Sequence, residues 1–357
     1  MLTDSRVRAI TIAAPIIAAF GVIGMFAWVI WPAWQEHRAV QALLDAVEEY
    51  DPQAIEEQTE ILRRMHRGEA AVPQLQRALK DRQSRVREGA AVALEKLGTD
   101  AKSAAPAMIG AMNDPDEFVR TTASNALERL GPDAVLALID GLRSDDPQIR
   151  EMTAEVLGSL GPEASMAIPA LLLAMGDEQP EVRRGASEAM GEIGSDAVPT
   201  LINALSSDDA RIRLGAATAL SEMGSRAERA IPALIDALND EDDEVSATTA
   251  HALATIGPAA EEALPTLREL LPDKDNSVAV WLARALWKID QDTDTAVPAF
   301  VKALKDDDAR VRLLAAEFLA EIGPLAETAI EPLTRALDDD DEEVSRAAAR
   351  AIVRIGQ

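Results

Sequence analysis

The residues most able to do acid–base or metal chemistry are few in this sequence. The chain has 357 residues, with three histidines and no cysteine. His37, His66 and His251 lie far apart, and the lack of cysteine excludes thiol nucleophiles, disulfides and thiolate metal sites. We therefore expect no catalytic residue, no bound metal ion and no cofactor.

Carboxylates, in contrast, are abundant, and the formal net charge is −27. Nucleic-acid affinity rests largely on Lys and Arg side chains that neutralise phosphates, so we expect no nucleic-acid partner. The acidic residues cluster at 240–244, 306–308 and 338–343. We interpret them as helix N-caps that complement the helix dipole, with contact to a cation or a basic partner as the alternative. No D-x-D-x-D-G calcium loop is present.

These clusters belong to a repeat whose period is marked by glycine. The glycines recur 30 or 33 residues apart, and Asp290 occupies the one slot without glycine: Gly98, Gly131, Gly161, Gly194, Gly224, Gly257, Gly323 and Gly356. Each unit predicts two helices, because apolar residues follow a helical spacing on either side of an acidic turn. Proline near the start of the first helix and a left-handed glycine cap after the second mark the ends.

Four columns of the repeat carry further predictions. Four residues before the glycine the side chain is always apolar, and seven before it is always small, which favours closely stacked helices. Eleven before it stands an arginine in six units, which we expect to pair with carboxylates of its own or the next unit: Arg87, Arg120, Arg150, Arg183, Arg213 and Arg312. Six before it the place is polar in most units, so we expect His251, which stands there, to be a surface residue.

The repeat resembles the HEAT repeat, in the short, Ala-rich form named after the phycocyanin bilin lyases. The sequences SRAERAIPALIDALNDEDDEVSATTAHALATIG (225–257) and QDTDTAVPAFVKALKDDDARVRLLAAEFLAEIG (291–323) share the frame throughout. The resemblance covers 69–356 and implies an all-α, right-handed α-α superhelical solenoid whose second helices line the concave face. Some HEAT-like enzymes bind two irons through His-Glu pairs, but this chain has no His-Glu dipeptide. Nothing in it marks a bilin pocket.

The unit 258–290 departs from the pattern and supplies the candidate partner site. Trp281 and Trp287 are the only tryptophans beyond Trp34, and Arg284 lies between them. If the second helices line the concave face, one polar stripe points into it, and exposed Trp and Arg are favoured hot-spot residues. The predicted partner-binding set is Val280, Trp281, Arg284, Trp287, Leu313 and Leu314. The alternative is that Trp287 only fills the gap left by small residues in the neighbouring units.

The N-terminal segment predicts a membrane anchor. Ile10–Trp31 is 22 residues long and uncharged, enough to cross a bilayer, and Trp28, Trp31 and Trp34 cluster at its far end. A cleaved signal peptide is the alternative, although the apolar run is longer than usual for one. Two arginines, Arg6 and Arg8, precede the span, and only Arg38 follows it closely. Because basic residues beside a span favour the cytoplasmic side, this predicts a cytoplasmic N-terminus and an extracytoplasmic, periplasmic repeat domain.

Together these observations divide the chain into 1–34 (cytoplasmic N-terminus and transmembrane anchor), 35–68 (a helical cap, with helices near 36–50 and 52–67) and 69–357 (nine HEAT-like repeats). The Ala/Arg-rich, Lys-poor composition and the family resemblance suggest a bacterial source. We predict a non-catalytic, membrane-anchored scaffold that binds another protein on its concave surface, and an acidic surface is compatible with a cationic partner. The alternative is an accessory or maturation enzyme related to the bilin lyases.

Overall fold

The computed structural model describes residues 31–357, the side chains of Trp31 and Pro32 excepted, and all its regular elements in that range are helical. The predicted span, with Trp28, lies outside the described residues, as does the Trp31 side chain. The described chain forms two compact units that divide after Gly141.

The first unit contains a helical hairpin followed by short and long helices in alternation. Its helices are α1 (Trp31–Glu49), α2 (Pro52–Arg64), α3 (Val72–Ala78), α4 (Ser84–Leu97), α5 (Ala105–Ala111), α6 (Glu117–Leu130) and α7 (Val135–Gly141). The hairpin α1/α2 packs against α4. Asp51 caps α2 as predicted, since its carboxylate accepts the N–H groups of Gln53 and Ala54 at 3.0 Å.

The second unit continues the same alternation to the C-terminus. Its helices are α8 (Pro147–Leu160), α9 (Ile168–Ala174), α10 (Pro180–Ile193), α11 (Val198–Ala204), α12 (Ala210–Met223), α13 (Ile231–Ala237), α14 (Asp243–Ile256), α15 (Leu264–Leu270), α16 (Asn276–Asp290), α17 (Thr293–Ala303), α18 (Ala309–Ile322), α19 (Ile330–Arg335) and α20 (Glu342–Ile355). Most of the short helices are entered through a 3-10 segment that starts at the repeat glycine.

The acidic turns cap the long helices, as predicted. An aspartate carboxylate just before the helix accepts the backbone N–H two residues further on at 2.8–2.9 Å, in the pairs Asp116–Phe118, Asp146–Gln148, Asp209–Arg211, Asp242–Glu244, Asp308–Arg310 and Asp341–Glu343. Each such bond satisfies a donor that the first helical turn leaves without a partner. The turns therefore have a structural role, whatever else contacts them.

The arginine column ties consecutive repeats together. Four of its arginines each form a bidentate ion pair with an aspartate 27 residues further along the chain. Two guanidinium nitrogens donate to the two carboxylate oxygens at 2.7–2.9 Å in each of the pairs Arg87–Asp114, Arg150–Asp177, Arg213–Asp240 and Arg312–Asp339. The same arginines donate to a backbone carbonyl of their own turn, six residues back. The predicted pairing with the next repeat is confirmed for these four arginines, and their ion pairs join consecutive layers. Arg120 and Arg183 donate instead to backbone carbonyls of their own turn.

The small-residue column is buried in every repeat except those of Ser124, which is partly buried, and Ala349. Ala154, Ala217 and Ala250 are fully buried, and Ala349 in the last helix is exposed. Close approach of the long helices is clearest at Gly158, where an added Cβ would lie 3.2 Å from the Cα of Ala189.

The repeat glycines adopt a different cap from the predicted left-handed one. Seven of them have φ between 54° and 79°, and their ψ values lie near −130° to −144°, in the mirror image of the β region, which favours glycine. Gly356, at the end of α20, has φ −80° and forms no such cap. Where Asp290 replaces the glycine, Gln291 takes the left-handed conformation instead, with φ 56°.

We expect Gly257→Ala to lower the free energy of unfolding by about 1–3 kcal/mol. Nothing lies within 4 Å of an added Cβ at this position, so the cost is one of backbone conformation alone. Gly110→Ala is the matched control, because that glycine lies in α5 and is equally unobstructed. The control should gain roughly 0.5–1 kcal/mol from helix propensity. Thermal denaturation followed by circular dichroism measures both, and equal effects of the two changes would contradict the assignment.

One stretch of the described residues, Pro147–Ala174, is apolar and long enough to cross a membrane by length and composition alone. It contains two helices, α8 and α9, separated at Gly161 by a φ of 57°. Leu157 and Leu171 within it are fully buried in the repeat core. We therefore assign its apolar character to the packing of the repeats.

Candidate functional site

The predicted partner-binding set in α16 and α18 is less exposed than expected. Val280 is fully buried and Trp287 is only 7% exposed, and both belong to the core of the second unit. The expectation that these two side chains point into an open groove is wrong. Trp281, Leu313 and Leu314 are partly buried and pack against the same core.

The reason lies in the aromatic rings that neighbouring helices contribute. Trp281 lies 5.3 Å from Phe318 of α18, centroid to centroid, and Phe318 lies 5.6 Å from Phe300 of α17. In most other units small residues occupy the places of Trp281 and Trp287. Large rings therefore fill the space between α16, α17 and α18, as the alternative interpretation of Trp287 proposed.

Arg284 and His251 form a polar contact over these rings. The Arg284 guanidinium lies 4.8 Å from the Phe318 centroid and contacts Nδ1 of His251 at 3.0 Å. The His251 ring also lies 4.8 Å from that of Trp281. Burial, and then the charge of Arg284, lower the pKa of His251 to about 4. The prediction of a simple surface histidine is therefore wrong, and His251 is a neutral, half-buried residue at pH 7.

A different surface of the second unit is open and strongly acidic. A groove of about 720 Å³ runs across α8, α10 and α12, and four glutamates line it: Glu155, Glu188, Glu192 and Glu222. We call this surface the acidic groove. Glu155 and Glu188 stand six residues before their repeat glycines, on the same stripe as Arg284.

Glycines create the space for this groove. Gly158 and Gly185 line the groove. Gly158 stands three residues before Gly161, which is the position that Trp287 occupies in repeat 258–290. Gly191, at the equivalent place in the next repeat, makes room for a carboxylate, because an added Cβ there would lie 2.6 Å from Oε2 of Glu222. The same helical position therefore carries a large tryptophan ring in repeat 258–290 and a glycine, which leaves space for the groove, in the repeats that end at Gly161 and Gly194.

The position of Glu192 and Glu222 is electrostatically unfavourable for the fold. Each lies two residues before its repeat glycine, in the last turn of α10 or α12, where the helix dipole favours cations. Four other repeats carry a basic residue two places before the repeat glycine position: Lys96, Arg129, Lys288 and Arg354. Glu321 occupies the same place but is paired with Lys288 and Arg284. Within residues 33–357, neither Glu192 nor Glu222 has a cationic ion-pair partner.

Burial, and to a smaller extent repulsion among the glutamates, raises pKa values in the groove. Burial raises the pKa of Glu222 to about 7, and the charges of Glu188 and Glu192 add to the shift. Burial, together with the neighbouring Glu151, also raises the pKa of Glu155. Arg184 neutralises only one end of the groove, at 2.8 Å from Glu188 and 3.6 Å from Glu155. A cation bound beside Glu192 and Glu222 would relieve this repulsion.

The arrangement fits the binding of a cationic group. In the part of the chain that the structure describes, no group of three or more His, Cys, Asp or Glu side chains is placed to hold a metal ion.

The sequence did contain a signal for the groove: acidic residues in the last helical turn, together with glycine where other repeats carry larger side chains.

Comparison with known proteins identifies the repeat. The sequence matches the family of HEAT repeats over residues 40–128, 135–201, 168–254, 198–286 and 264–354. No curated protein matches the chain. Because 372 chains of solved structures do match, the fold alone does not select a function.

Two solved structures illustrate the likeness, and both are of karyopherin Kap121p. Kap121p bound to the extreme C-terminus of the protein phosphatase Cdc14p has 15% sequence identity and a TM-score of 0.61, over 89% of this chain and 41% of that one. Kap121p bound to Nup53p has the same identity and TM-score over 88% of this chain. The present chain thus spans about 41% of the length of Kap121p.

Proposed function

The chain belongs to the HEAT-repeat family, and on that premise we propose that it is a protein-interaction scaffold, anchored in a membrane, whose acidic groove binds a basic segment of a partner protein. The single observation that carries the partner's chemistry is the placement of Glu192 and Glu222, unpaired, in the last turns of α10 and α12. Such a placement costs about 0.3–1 kcal/mol per residue at a helix C-terminus. A bound Lys or Arg side chain would offset that cost.

The fold supports a binding role. Kap121p, which has a similar fold, is described in complexes with Cdc14p, Pho4p and Nup53p. We propose the same general use here, on the concave face of a right-handed superhelix lined by the long helices. The proposal is non-catalytic, since no observation in the described residues favours the accessory-enzyme alternative.

The anchor is the second part of the proposal, and its support comes from the sequence. The uncharged run at 10–31 is long enough to span a bilayer, and the arginines before it favour a cytoplasmic N-terminus. The repeats would then lie outside the cytoplasm. Protease added to intact spheroplasts should degrade the repeats, and complete protection until lysis would reverse this topology.

Site-specific crosslinking in native membranes tests the binding proposal. A photoreactive residue at Ser159, an exposed position of the acidic groove, should capture a partner through a segment rich in Lys and Arg. The same probe at Met166, an exposed position in the segment after α8, is the control. An acidic or neutral captured segment, or equal capture of the same partner from both positions, would contradict the proposal.

We expect the affinity for a cationic peptide to rise between about pH 6 and 8. Glu222 has its pKa raised to about 7, so it is largely neutral at the lower pH and charged at the higher. Lys and Arg side chains stay protonated over this range, so binding should release a proton from Glu222. Fluorescence anisotropy with a labelled Lys–Arg nonapeptide measures the effect, and Glu222→Gln should flatten the pH profile. A profile that persists in this variant would assign the titration to another group.

A further inference from the structure

A second groove lies on the outer side of the N-terminal hairpin, within the first unit. It has a volume of about 580 Å³ and is lined on its apolar side by Trp34, Ala42, Ile61 and Met65. Trp34 is 49% exposed and Ile61 36% exposed. A solenoid normally ends in a unit with a polar outer face, so an apolar groove on this hairpin needs something to cover it.

The place of the groove in the chain indicates what covers it. The uncharged run ends at Trp31, and Trp34 follows three residues later, about 5 Å along a helix axis. Because α1 and α2 are antiparallel, Ile61 and Met65 at the end of α2 return to the level of Trp34, and all three line the groove. If the run spans a bilayer, the groove lies in the bilayer interface, since so short a connection cannot carry it away.

The charge of the hairpin is divided in the same direction. The end beside the groove carries four arginines against two glutamates: Arg38, Arg63, Arg64, Arg67, Glu36 and Glu60. The opposite end carries only acidic charges: Asp45, Glu48, Glu49, Asp51, Glu56 and Glu57. In a chain with a net charge of −27, this basic end is a local exception. Basic residues beside a span attract anionic headgroups, at about 1 kcal/mol per residue.

Arg38 connects the apolar and the basic parts. Its guanidinium lies 5.5 Å from the Trp34 ring centroid, and both residues line the groove. No carboxylate pairs with Arg38 in the described part of the chain, whereas Arg64 is held by Glu60 at 2.8 Å and Arg67 by Glu36 at 3.3 Å. An aromatic ring with a cationic group above it suits the boundary between acyl chains and phosphates.

We propose that this groove, which we call the cap groove, binds an anionic phospholipid of the bilayer that holds the anchor. The acyl chain lies against Trp34, Ile61 and Met65, and the headgroup phosphate lies beside Arg38. The inference rests on the proposed membrane anchor and extends it, because it places the first repeat layer against the membrane surface. Two copies packed groove to groove would bring their basic ends together, so the charge favours phospholipid over a symmetric dimer.

The lack of native cysteine makes the test direct. Single cysteines at Ala19, Ile61 and Gln53 in the full chain are labelled with dansyl and reconstituted in vesicles of phosphatidylcholine and phosphatidylglycerol with brominated acyl chains. Gln53 is exposed at the opposite end of α2 and serves as the control. We expect strong quenching at positions 19 and 61, and little at position 53.

The outcomes separate the two proposals. Quenching at 19 without quenching at 61 would overturn the cap groove and leave the anchor intact. No quenching at 19 would overturn the anchor itself. Ready oxidation of Ile61→Cys to a disulfide-linked dimer would show that a second copy covers the groove and would also overturn the proposal.

The headgroup preference has its own control. Arg38→Gln should reduce the excess quenching at 61 by brominated phosphatidylglycerol over brominated phosphatidylcholine, by roughly fivefold in relative association constant. Arg82→Gln removes the same charge from an exposed position outside the groove and should have little effect. Equal effects of the two variants would show a general charge effect and no headgroup site.

Discussion

Replacing Trp287 by alanine is expected to lower the free energy of unfolding by about 3–5 kcal/mol. The ring is 7% exposed and lies in a core that also contains Val297, Phe300 and Leu319. Removing it leaves a cavity between helices that cannot easily collapse, because the neighbouring rings are themselves packed together. Urea denaturation followed by far-UV circular dichroism measures the change.

Trp287→Phe is the control for this prediction. The Nε1 atom of Trp287 is buried without a hydrogen-bond partner in the described residues, so phenylalanine removes no bond and keeps most of the buried area. We expect it to cost much less than alanine. A stable Trp287→Ala variant that no longer binds its partner would restore the original interpretation of Trp287 as an exposed binding residue.

Asp240→Asn is expected to cost about 3–5 kcal/mol, because it leaves the buried Arg213 with only the exposed Glu241, 3.7 Å away, as a counter-charge. The Arg213 and Asp240 side chains are only 10% and 7% exposed, and they join consecutive repeats at 2.7 Å. Ser207 occupies the place of Asp240 one repeat earlier. Ser207→Ala should therefore lower the free energy of unfolding much less than Asp240→Asn does. Comparable decreases for the two variants would contradict the importance of the ion pair.

The pH dependence of this effect has a definite sign. Burial alone would raise the pKa of Asp240, but the hydrogen bonds from Arg213 and from the N–H of Asp242 outweigh it and hold the pKa below its usual value. The stability that the pair contributes is therefore present above pH 4 and is lost as the pH falls through the lowered pKa. The difference between the wild type and Asp240→Asn should shrink in acid, and a difference that grows there would be the wrong sign.

The features that the sequence predicted well are local and periodic. The caps at Asp242 and Asp308 need only a side chain and an N–H two residues away, and the pairing of Arg213 with Asp240 repeats with the period itself. Seven of the eight predicted glycine caps were placed correctly, but their backbone conformation was not, since several conformations with positive φ favour glycine. Periodicity alone cannot distinguish among these conformations.

The features that were missed depend on what lies opposite a helix. The sequence pattern identified the face of α16 that carries Trp287. It did not indicate that Phe300 of α17 and Phe318 of α18 pack in the same core and bury that face. His251 was misjudged for the same reason, because Arg284 and Trp281 belong to a different helix. The acidic groove arises from absent side chains at Gly158 and Gly191, and a search for apolar or reactive residues does not detect an absence.

The affinity of a labelled Lys–Arg nonapeptide for two charge-matched variants of the full chain tests the central claim most directly. One variant neutralises the acidic groove with Glu188→Gln, Glu192→Gln and Glu222→Gln. The other removes three exposed carboxylates from the capping turns with Glu241→Gln, Asp307→Asn and Glu343→Gln. We predict that the first weakens binding by roughly tenfold or more and that the second changes it by less than about twofold. Equal weakening by both variants would show that the peptide senses only net charge and would contradict a binding site in the acidic groove.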